Sequence, residues 1–182
     1  MPELEEISRV RADATLLYSE SQVYSALDAM SIQISVTLAD QNPLVLCVLT
    51  GGIMTVSNLM ERCDFPMTCD VIHATRYGND TVGHELDWIS LPRESMKGRT
   101  VLLVDDILDE GHTLKAISQY CKDQGAESVY SAVLVEKILS KQKPIKAEFV
   151  GLQCEDRYLF GFGMDYKGYW RNTAGIFACN GV

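Results

Sequence analysis

One block of the chain, residues 101–113, limits its possible folds more than any other segment. Residues 101–104 read VLLV, which predicts a buried strand. The carboxylates of Asp105 and Asp106 follow at the carboxyl end of that strand, and an acidic turn with a glycine at 109–111 opens a helical pattern. In an open parallel sheet, ligands bind just beyond the carboxyl ends of the strands. Helix N-terminal amides bind phosphate, and carboxylates bind hydroxyls or Mg²⁺. The block therefore predicts a site for a phosphorylated sugar with a metal.

The rest of the chain alternates predicted strands and helices, which is typical of a doubly wound α/β sheet. Between residues 20 and 39, apolar residues recur at spacings of four, three, four and four, as in an amphipathic helix. The predicted elements are a helix over 20–39, a strand over 44–49, a turn at 50–52 that opens a helix from 53, a strand over 67–72, the strand over 101–104, a helix over 112–124, a strand over 129–135 and a strand over 147–152.

Residues 76–94 form the longest segment without an apolar period. The segment is rich in Gly, Asn, Asp and Thr. Such a composition favours a mobile loop or an exposed hairpin, and long loops of this kind often carry function. The composition therefore predicts a mobile loop or an exposed hairpin over 76–94.

The composition limits the class of protein. With 182 residues the chain suits one domain over 1–182. The excess of 25 acidic over 16 basic residues gives a net charge of −9, which argues against nucleic acid or an anionic membrane as partner. The six cysteines show no CxxC pair or zinc spacing, and there is no apolar targeting segment or membrane-length run. We expect a cytoplasmic protein.

Several motifs together resemble those of a known enzyme family. The block at 101–114 resembles the signature that binds phosphoribosyl pyrophosphate (PRPP) in type I phosphoribosyltransferases. That signature alone indicates only the superfamily. The purine branch, the hypoxanthine-guanine phosphoribosyltransferases, is indicated by further similar segments in the same order, at 148–152, 156–161 and 164–172, with turns at 49–52 and 76–78. The likeness implies a doubly wound, mainly parallel sheet with a small hood formed by the terminal segments.

The resemblance implies roles for residues that bind PRPP. Asp105 and Asp106 match the pair that holds the ribose hydroxyls and the nearby Mg²⁺ waters, and Arg171 matches a pyrophosphate contact. The loop that wraps the 5′-phosphate matches Glu110, Gly111, His112 and Thr113. Thr50 and Gly51 match the pyrophosphate loop, which often contains a cis peptide. The family commonly has Lys in place of Thr50, so the resemblance does not carry over one cationic pyrophosphate contact. It also implies that 76–94 is the mobile active-site loop, in which Arg76 stands where Ser is usual and is a candidate to replace that charge.

A second group of residues is implied to bind the purine. Asp109 matches the residue proposed to take the N7 proton, and Lys137 matches the lysine that donates to the 6-oxo group. Tyr158 matches the aromatic residue that stacks on the base, with Ile107 on the other face. Backbone contacts to the base edge are implied for Leu159, and metal binding beside the purine for Asp165.

Without the resemblance, the same residues also fit purely structural roles. Asp105 and Asp106 could be a polar strand end, Tyr158 a core or edge aromatic, and Lys137 a solvated lysine at a strand end.

The resemblance favours a purine salvage enzyme that uses Mg²⁺ to join hypoxanthine or guanine to PRPP, as a homodimer or homotetramer. The alternatives are a transferase for xanthine, adenine or uracil, and a regulator with the same fold that binds RNA. A receiver domain is disfavoured because its acidic pair lies near the chain start.

Overall fold

The computed structural model describes residues 3–76 and 86–181, which fold around a six-stranded sheet. The elements in chain order are α1 (Leu4–Asp13), β1 (Thr15–Tyr18), α2 (Glu20–Leu38), a short 3₁₀ helix (Ala39–Gln41), β2 (Leu44–Val48), α3 (Ile53–Arg62), β3 (Thr68–Arg76), β4 (Leu86–Ser90), β5 (Thr100–Leu108), α4 (His112–Asp123), β6 (Ser128–Ile138), β7 (Phe149–Glu155), β8 (Leu159–Phe160) and β9 (Ile176–Ala178). The strand order is β4-β3-β2-β5-β6-β7, and only the β3–β4 pair is antiparallel.

The buried strands carry apolar residues on both faces because helices cover both faces of the sheet. On β2, Val45 and Cys47 join the core beneath α2 and α3, whereas Leu44 and Leu46 join the core beneath α4. Successive side chains of the continuous apolar run LVLCV therefore alternate between the two cores. Ser19 and Gln22 begin α2 with a reciprocal capping box, which fixes where that helix starts.

A second, smaller layer forms the predicted hood from the two ends of the chain. Strands β1, β9 and β8 make an antiparallel sheet, and α1 packs nearby through Ile7. The hood core contains Phe160 stacked on Phe177, with ring centroids 5.5 Å apart. Arg11 of α1 lies 4.0 Å over the Phe177 ring. Helix α1 and strand β1, which span residues 4–18, thus build part of the hood.

Several element boundaries differ from those predicted. Strand β5 continues through the two carboxylates to Leu108 because it stays paired with β6 to the Leu108–Glu136 rung. Strand β6 continues through Lys137 to Ile138 because it stays paired with β7. The predicted loop at 76–94 contains the strand β4, which pairs with β3 as one arm of a hairpin. Residues 77–85 of that segment lie outside the described residues. Within the described ranges, no helix is both long and apolar enough to cross a bilayer.

Candidate active site

A cavity of about 320 Å³ lies beyond the carboxyl ends of β2 and β5, where an open parallel sheet binds ligands. It brings together ten of the predicted site residues, namely Gly51, Asp105, Asp106, Ile107, Asp109, Glu110, Gly111, Thr113, Asp165 and Arg171. Thr50 and His112 are chain neighbours of lining residues, whereas Lys137, Tyr158 and Leu159 belong to β6 and the hood side of the site. The site therefore has a phosphate end, built around the turn after β2, and a purine end, built around the end of β6.

Close backbone packing shapes the phosphate end. The bond between Leu49 and Thr50 is cis, one bond before the pair matched by resemblance. A Cβ added to Gly51 would overlap the Asp106 carboxylate, and one added to Gly163 would overlap the carbonyl of Gly51. The turn after β2 is thus held between β5 on one side and the segment near Gly163 on the other. Only glycine allows such an approach.

The two adjacent carboxylates at the end of β5 are largely withdrawn from water. Burial, together with the neighbouring charge of Asp106, raises the pKa of Asp105 well above its usual value. Burial also raises the pKa of Asp106, although a hydrogen bond from Asp105 and the charge of Arg171 oppose the shift. Two adjacent acids in such a place favour sharing a proton. In a complex, ribose hydroxyls or a cation would stabilise the charged form.

The turn between β5 and α4 has the geometry of a phosphate cradle. Gly111 lies in the left-handed region at φ 84°, and α4 begins at the next residue. Within the described chain, no side chain caps this helix N-terminus. The first amides of a helix have no partner inside the helix, and they point towards any anion at that end. This geometry suits the predicted binding of a phosphate by residues 110–113.

An ion pair closes the phosphate end from the hood side. Arg171 Nη2 lies 2.6 Å from Asp165 Oδ1, and Arg171 Nη1 donates to the carbonyl of Gly163 at 2.6 Å. The other oxygen of Asp165 accepts from the amide of Gly168 at 2.6 Å. Asp165 and Arg171 are therefore held at fixed positions against the same turn that packs on Gly51.

The purine end is a network of charged side chains. Lys137 is buried, and its Nζ donates to Asp109 at 2.9 Å and to Asp156 at 3.3 Å. Burial alone lowers the pKa of Lys137, but the hydrogen bonds and charges of Asp109 and Asp156 outweigh it and raise that pKa. The lysine is therefore charged, and these two bonds leave one of its three N–H donors for a ligand.

The predicted stacking residue lies at the entrance to the hood. Tyr158 is 43% exposed, and its ring meets the ring of Tyr166 edge-on at 5.6 Å. Leu159 is buried in β8 opposite Ala178, so its backbone is fixed by the hood sheet. Ile107 is partly buried against the main core. Stacking of a base between Tyr158 and Ile107 stays a prediction.

The acidic residues fit a magnesium ion that arrives with its substrate. No group of three or more potential ligands among residues 3–76 and 86–181 could hold a metal on its own. Mg²⁺ usually keeps several waters and binds through one or two carboxylates together with substrate phosphates. Asp165 and the pair Asp105 and Asp106 supply carboxylate oxygens at the cavity. This donor set suits a metal shared with pyrophosphate rather than a metal cage.

Three residues that shape the site were not among those predicted from the sequence. Asp156 binds Lys137, Gly163 packs on Gly51, and Tyr166 meets Tyr158 while its hydroxyl donates to Glu6 at 2.9 Å. All three lie in the segments at 156–161 and 164–172 or beside them. Because they are close in sequence to Tyr158 and Asp165, their position was a signal that could have pointed to the site. The residues that they contact are remote in sequence, so the contacts themselves could not be predicted.

Sequence comparison finds similar proteins over most of the chain. Residues 14–167 match the model of the phosphoribosyl transferase domain. A hypoxanthine-guanine phosphoribosyltransferase of Bacillus subtilis is 29% identical over 158 residues, which cover 86% of this chain and 88% of the relative. A hypoxanthine-guanine-xanthine phosphoribosyltransferase of Tritrichomonas foetus is 26% identical over 178 residues, covering 94% and 91%.

Solved structures give the same fold. A hypoxanthine phosphoribosyltransferase of Staphylococcus aureus superposes with a TM-score of 0.88 at 24% identity, covering 99% of this chain and 96% of that one. The family model spans most of the chain and includes the turn after β2, the carboxylates of β5, the start of α4 and Asp165, but it ends before Arg171. The chain therefore belongs to the phosphoribosyl transferase domain family.

Proposed function

We propose that the protein transfers the phosphoribosyl group of PRPP to hypoxanthine or guanine, forming the nucleoside 5′-monophosphate and pyrophosphate. One observation carries the proposal: a buried, charged lysine at the end of β6 is paired with Asp109 at 2.9 Å, beside the cavity that the carboxylates of β5 line. This arrangement combines a recognition group for an oxo substituent with a proton acceptor next to a sugar-phosphate site. The relatives with names for this activity support it.

The phosphate end binds and orients PRPP. The amides at the start of α4 would hold the 5′-phosphate, and the carboxylates of Asp105 and Asp106 would accept hydrogen bonds from the ribose hydroxyls. Arg171 and the turn at Thr50 and Gly51 would hold the pyrophosphate. Because the buried carboxylates face hydroxyls rather than water, they fix the ribose with its C1′ towards the purine end.

The purine end recognises and deprotonates the base. The free N–H of Lys137 would donate to O6 of a 6-oxopurine, with Tyr158 and Ile107 on the two faces of the ring. The carboxylate of Asp109 would accept the N7 proton as the bond to C1′ forms. Leu159 would contact the base edge through its fixed backbone.

A divalent cation, Mg²⁺, fits the acidic residues of the cavity. Asp165 would hold it, with Asp105 and Asp106 contributing through water and the ribose hydroxyls. When bound, the ion neutralises charge on the departing pyrophosphate. Among the side chains that the structure describes, few cations lie at that end, since Thr50 is neutral and Arg171 is already paired with Asp165.

Base identity is the direct test of the proposal. The protein would be incubated with PRPP, Mg²⁺ and, in separate reactions, hypoxanthine, guanine, xanthine, adenine and uracil, and the nucleotides identified by mass. We expect IMP and GMP, with adenine and uracil unreactive. Xanthine is the closest competitor, since one relative has a name that includes it. Formation of AMP or UMP alone would replace the proposal with another base specificity.

The expected assembly can be measured in the same preparation. We expect a homodimer or homotetramer, and light scattering after size-exclusion chromatography gives the mass directly. A filter-binding titration with RNA over a range of salt concentrations tests the RNA-binding alternative. The net charge of −9 predicts no binding at physiological salt.

A further inference from the structure

The side chain of Lys143 lies under the ends of β5 and β6, next to the purine end. Its side chain is 9% exposed, although it belongs to the loop between β6 and β7. Its Nζ donates to the carbonyl of Leu108 at 2.9 Å, to the carbonyl of Lys137 at 2.6 Å and to Glu136 Oε1 at 3.3 Å. An ammonium has three donors, and these contacts satisfy all of them.

The two carbonyls belong to the peptide groups next to the proposed catalytic pair. The carbonyl of Leu108 shares a planar peptide with the nitrogen and Cα of Asp109, so fixing that carbonyl fixes the direction in which Asp109 leaves the strand. The carbonyl of Lys137 adjoins the Cα of Lys137 itself. One side chain thus orients the backbone at both members of the Asp109–Lys137 pair.

The loop that carries Lys143 also packs on the phosphate turn. A Cβ built on Gly111 would lie 3.1 Å from Ile145 Cγ2 and 3.6 Å from Pro144 Cδ. These two residues follow Lys143 directly, so the loop is held at its apolar end as well as at its charged end. This packing keeps the Lys143 side chain directed towards the strand ends.

We propose that Lys143 is a positioning residue, which holds Asp109 and Lys137 in the geometry that recognises and deprotonates the base. The proposal rests on the proposed function and adds a residue that touches neither substrate. A positioning error of about 1 Å can reduce a rate about 100-fold. We therefore expect Lys143→Met to lower kcat/KM for hypoxanthine about 10- to 100-fold while KM for PRPP changes little.

The matched control is Lys146→Met, which removes an exposed lysine from the same loop. A double-mutant cycle with Lys137→Met separates positioning from a general loss of stability, because coupled residues have non-additive effects. In the Lys137→Met background, the Lys143→Met change should cost less than in the wild type, because only the placement of Asp109 is then left to lose. Equal fold-losses in both backgrounds, or a loss no larger than that of Lys146→Met, would overturn the proposal.

Two further measurements keep the test independent of turnover and of folding. Hydrogen exchange without substrate should be faster in Lys143→Met than in Lys146→Met at the amides of residues 109–110 and 138–139, and equal rates would contradict positioning. This readout stands even where the wild type forms no nucleotide, an outcome that would refute the proposed function instead. Should Lys143→Met not fold, Lys143→Arg keeps the charge and the donors but displaces them. Lys143→Arg should fold and show a smaller loss of kcat/KM for hypoxanthine. If its exchange rates and its kinetics equal those of the wild type, the proposal is wrong.

Discussion

The phosphate end and the purine end of the site are held together by different kinds of contact. At the phosphate end, glycines allow the main chain to make the closest contacts: Gly51 lies against the Asp106 carboxylate, Gly163 lies against the Gly51 carbonyl, and Gly111 opens α4. At the purine end, charged side chains bind one another, with Lys137 between Asp109 and Asp156. Phosphate groups are the same in every PRPP molecule, whereas bases differ by single substituents. A fixed backbone suits the first task, and a side-chain network that single substitutions can alter suits the second.

The comparison predicts two modes of failure. Substitutions at the phosphate end should act through steric exclusion and reduce turnover with every base alike. Substitutions at the purine end should act through charge and hydrogen bonding and change which base reacts. The following experiments test this division, beginning with the largest expected effect.

Removal of divalent metal should abolish turnover with every base. The described lining of the phosphate end has the carboxylates of Asp105, Asp106 and Asp165, and its one cation is Arg171, so little positive charge offsets a departing pyrophosphate. Activity would be assayed in excess chelator and again after Mg²⁺ is added back. Full activity in excess chelator would show that the phosphate end stabilises the charge of the departing pyrophosphate without a metal.

Asp109→Asn should lower kcat about 10²–10⁴-fold, the usual contribution of general-base catalysis, with little effect on KM for PRPP. The amide keeps the shape of the side chain but cannot accept the N7 proton. Asp64→Asn, at an exposed position remote from the cavity, is the control. A rate within about threefold of the wild type, set against that range, would mean that the base loses its proton without help.

Gly163→Ala should lower kcat/KM about 100-fold for hypoxanthine and guanine equally, because displacement of the turn at Gly51 misplaces PRPP. The added Cβ would overlap the Gly51 carbonyl, and the residue has φ 103°. Gly98→Ala is matched, since it also has a positive φ of 68° but its Cβ would meet nothing within 4 Å. A change in the ratio of the two bases would break the proposed division.

Lys137→Met should reduce the preference for hypoxanthine over adenine at least about tenfold, mainly by loss of hypoxanthine activity. An ammonium donor pairs with O6 but opposes the amino group of adenine, and an unsatisfied buried group costs about 1–3 kcal/mol. The measurement is kcat/KM for hypoxanthine, guanine and adenine in wild type, Lys137→Met and Lys146→Met. An unchanged ratio would remove Lys137 from base recognition.

Asp105→Asn should raise the melting temperature of the substrate-free protein at pH 7 by about 2–4 °C, which corresponds to about 1 kcal/mol at this chain length. The pKa of Asp105 is raised in the folded state, so folding takes up protons between the ordinary carboxyl pKa of about 4 and the raised value. Stability therefore falls as pH rises through that window and stays lower above it.

The difference in melting temperature between Asp105→Asn and wild type should thus be small near pH 4 and widen as the pH rises. Asp64→Asn, which replaces an exposed carboxyl, should show no such trend. A difference in melting temperature that stays constant across the pH range would mean that burial does not destabilise the charged form of Asp105.

One part of the phosphate end could be predicted from local sequence because it is contiguous. The strand, the two carboxylates, the glycine turn and the start of α4 all lie between residues 100 and 113, and local sequence preferences determine such a segment. The alternation of strands and helices likewise predicted the central sheet, although β5 and β6 extend further than their apolar runs, since pairing between strands, not hydropathy, decides where they end.

The tertiary structure alone decided what the carboxylates and the lysine face. The register of β5 against β6 sets Leu108 opposite Glu136, so that Asp109 and Lys137 leave adjacent strand ends within hydrogen-bonding distance. Lys143 and Gly163 join the site through contacts with residues remote in sequence. Local patterns specify elements and contiguous motifs, whereas contacts between distant segments depend on register and packing, which no single segment encodes.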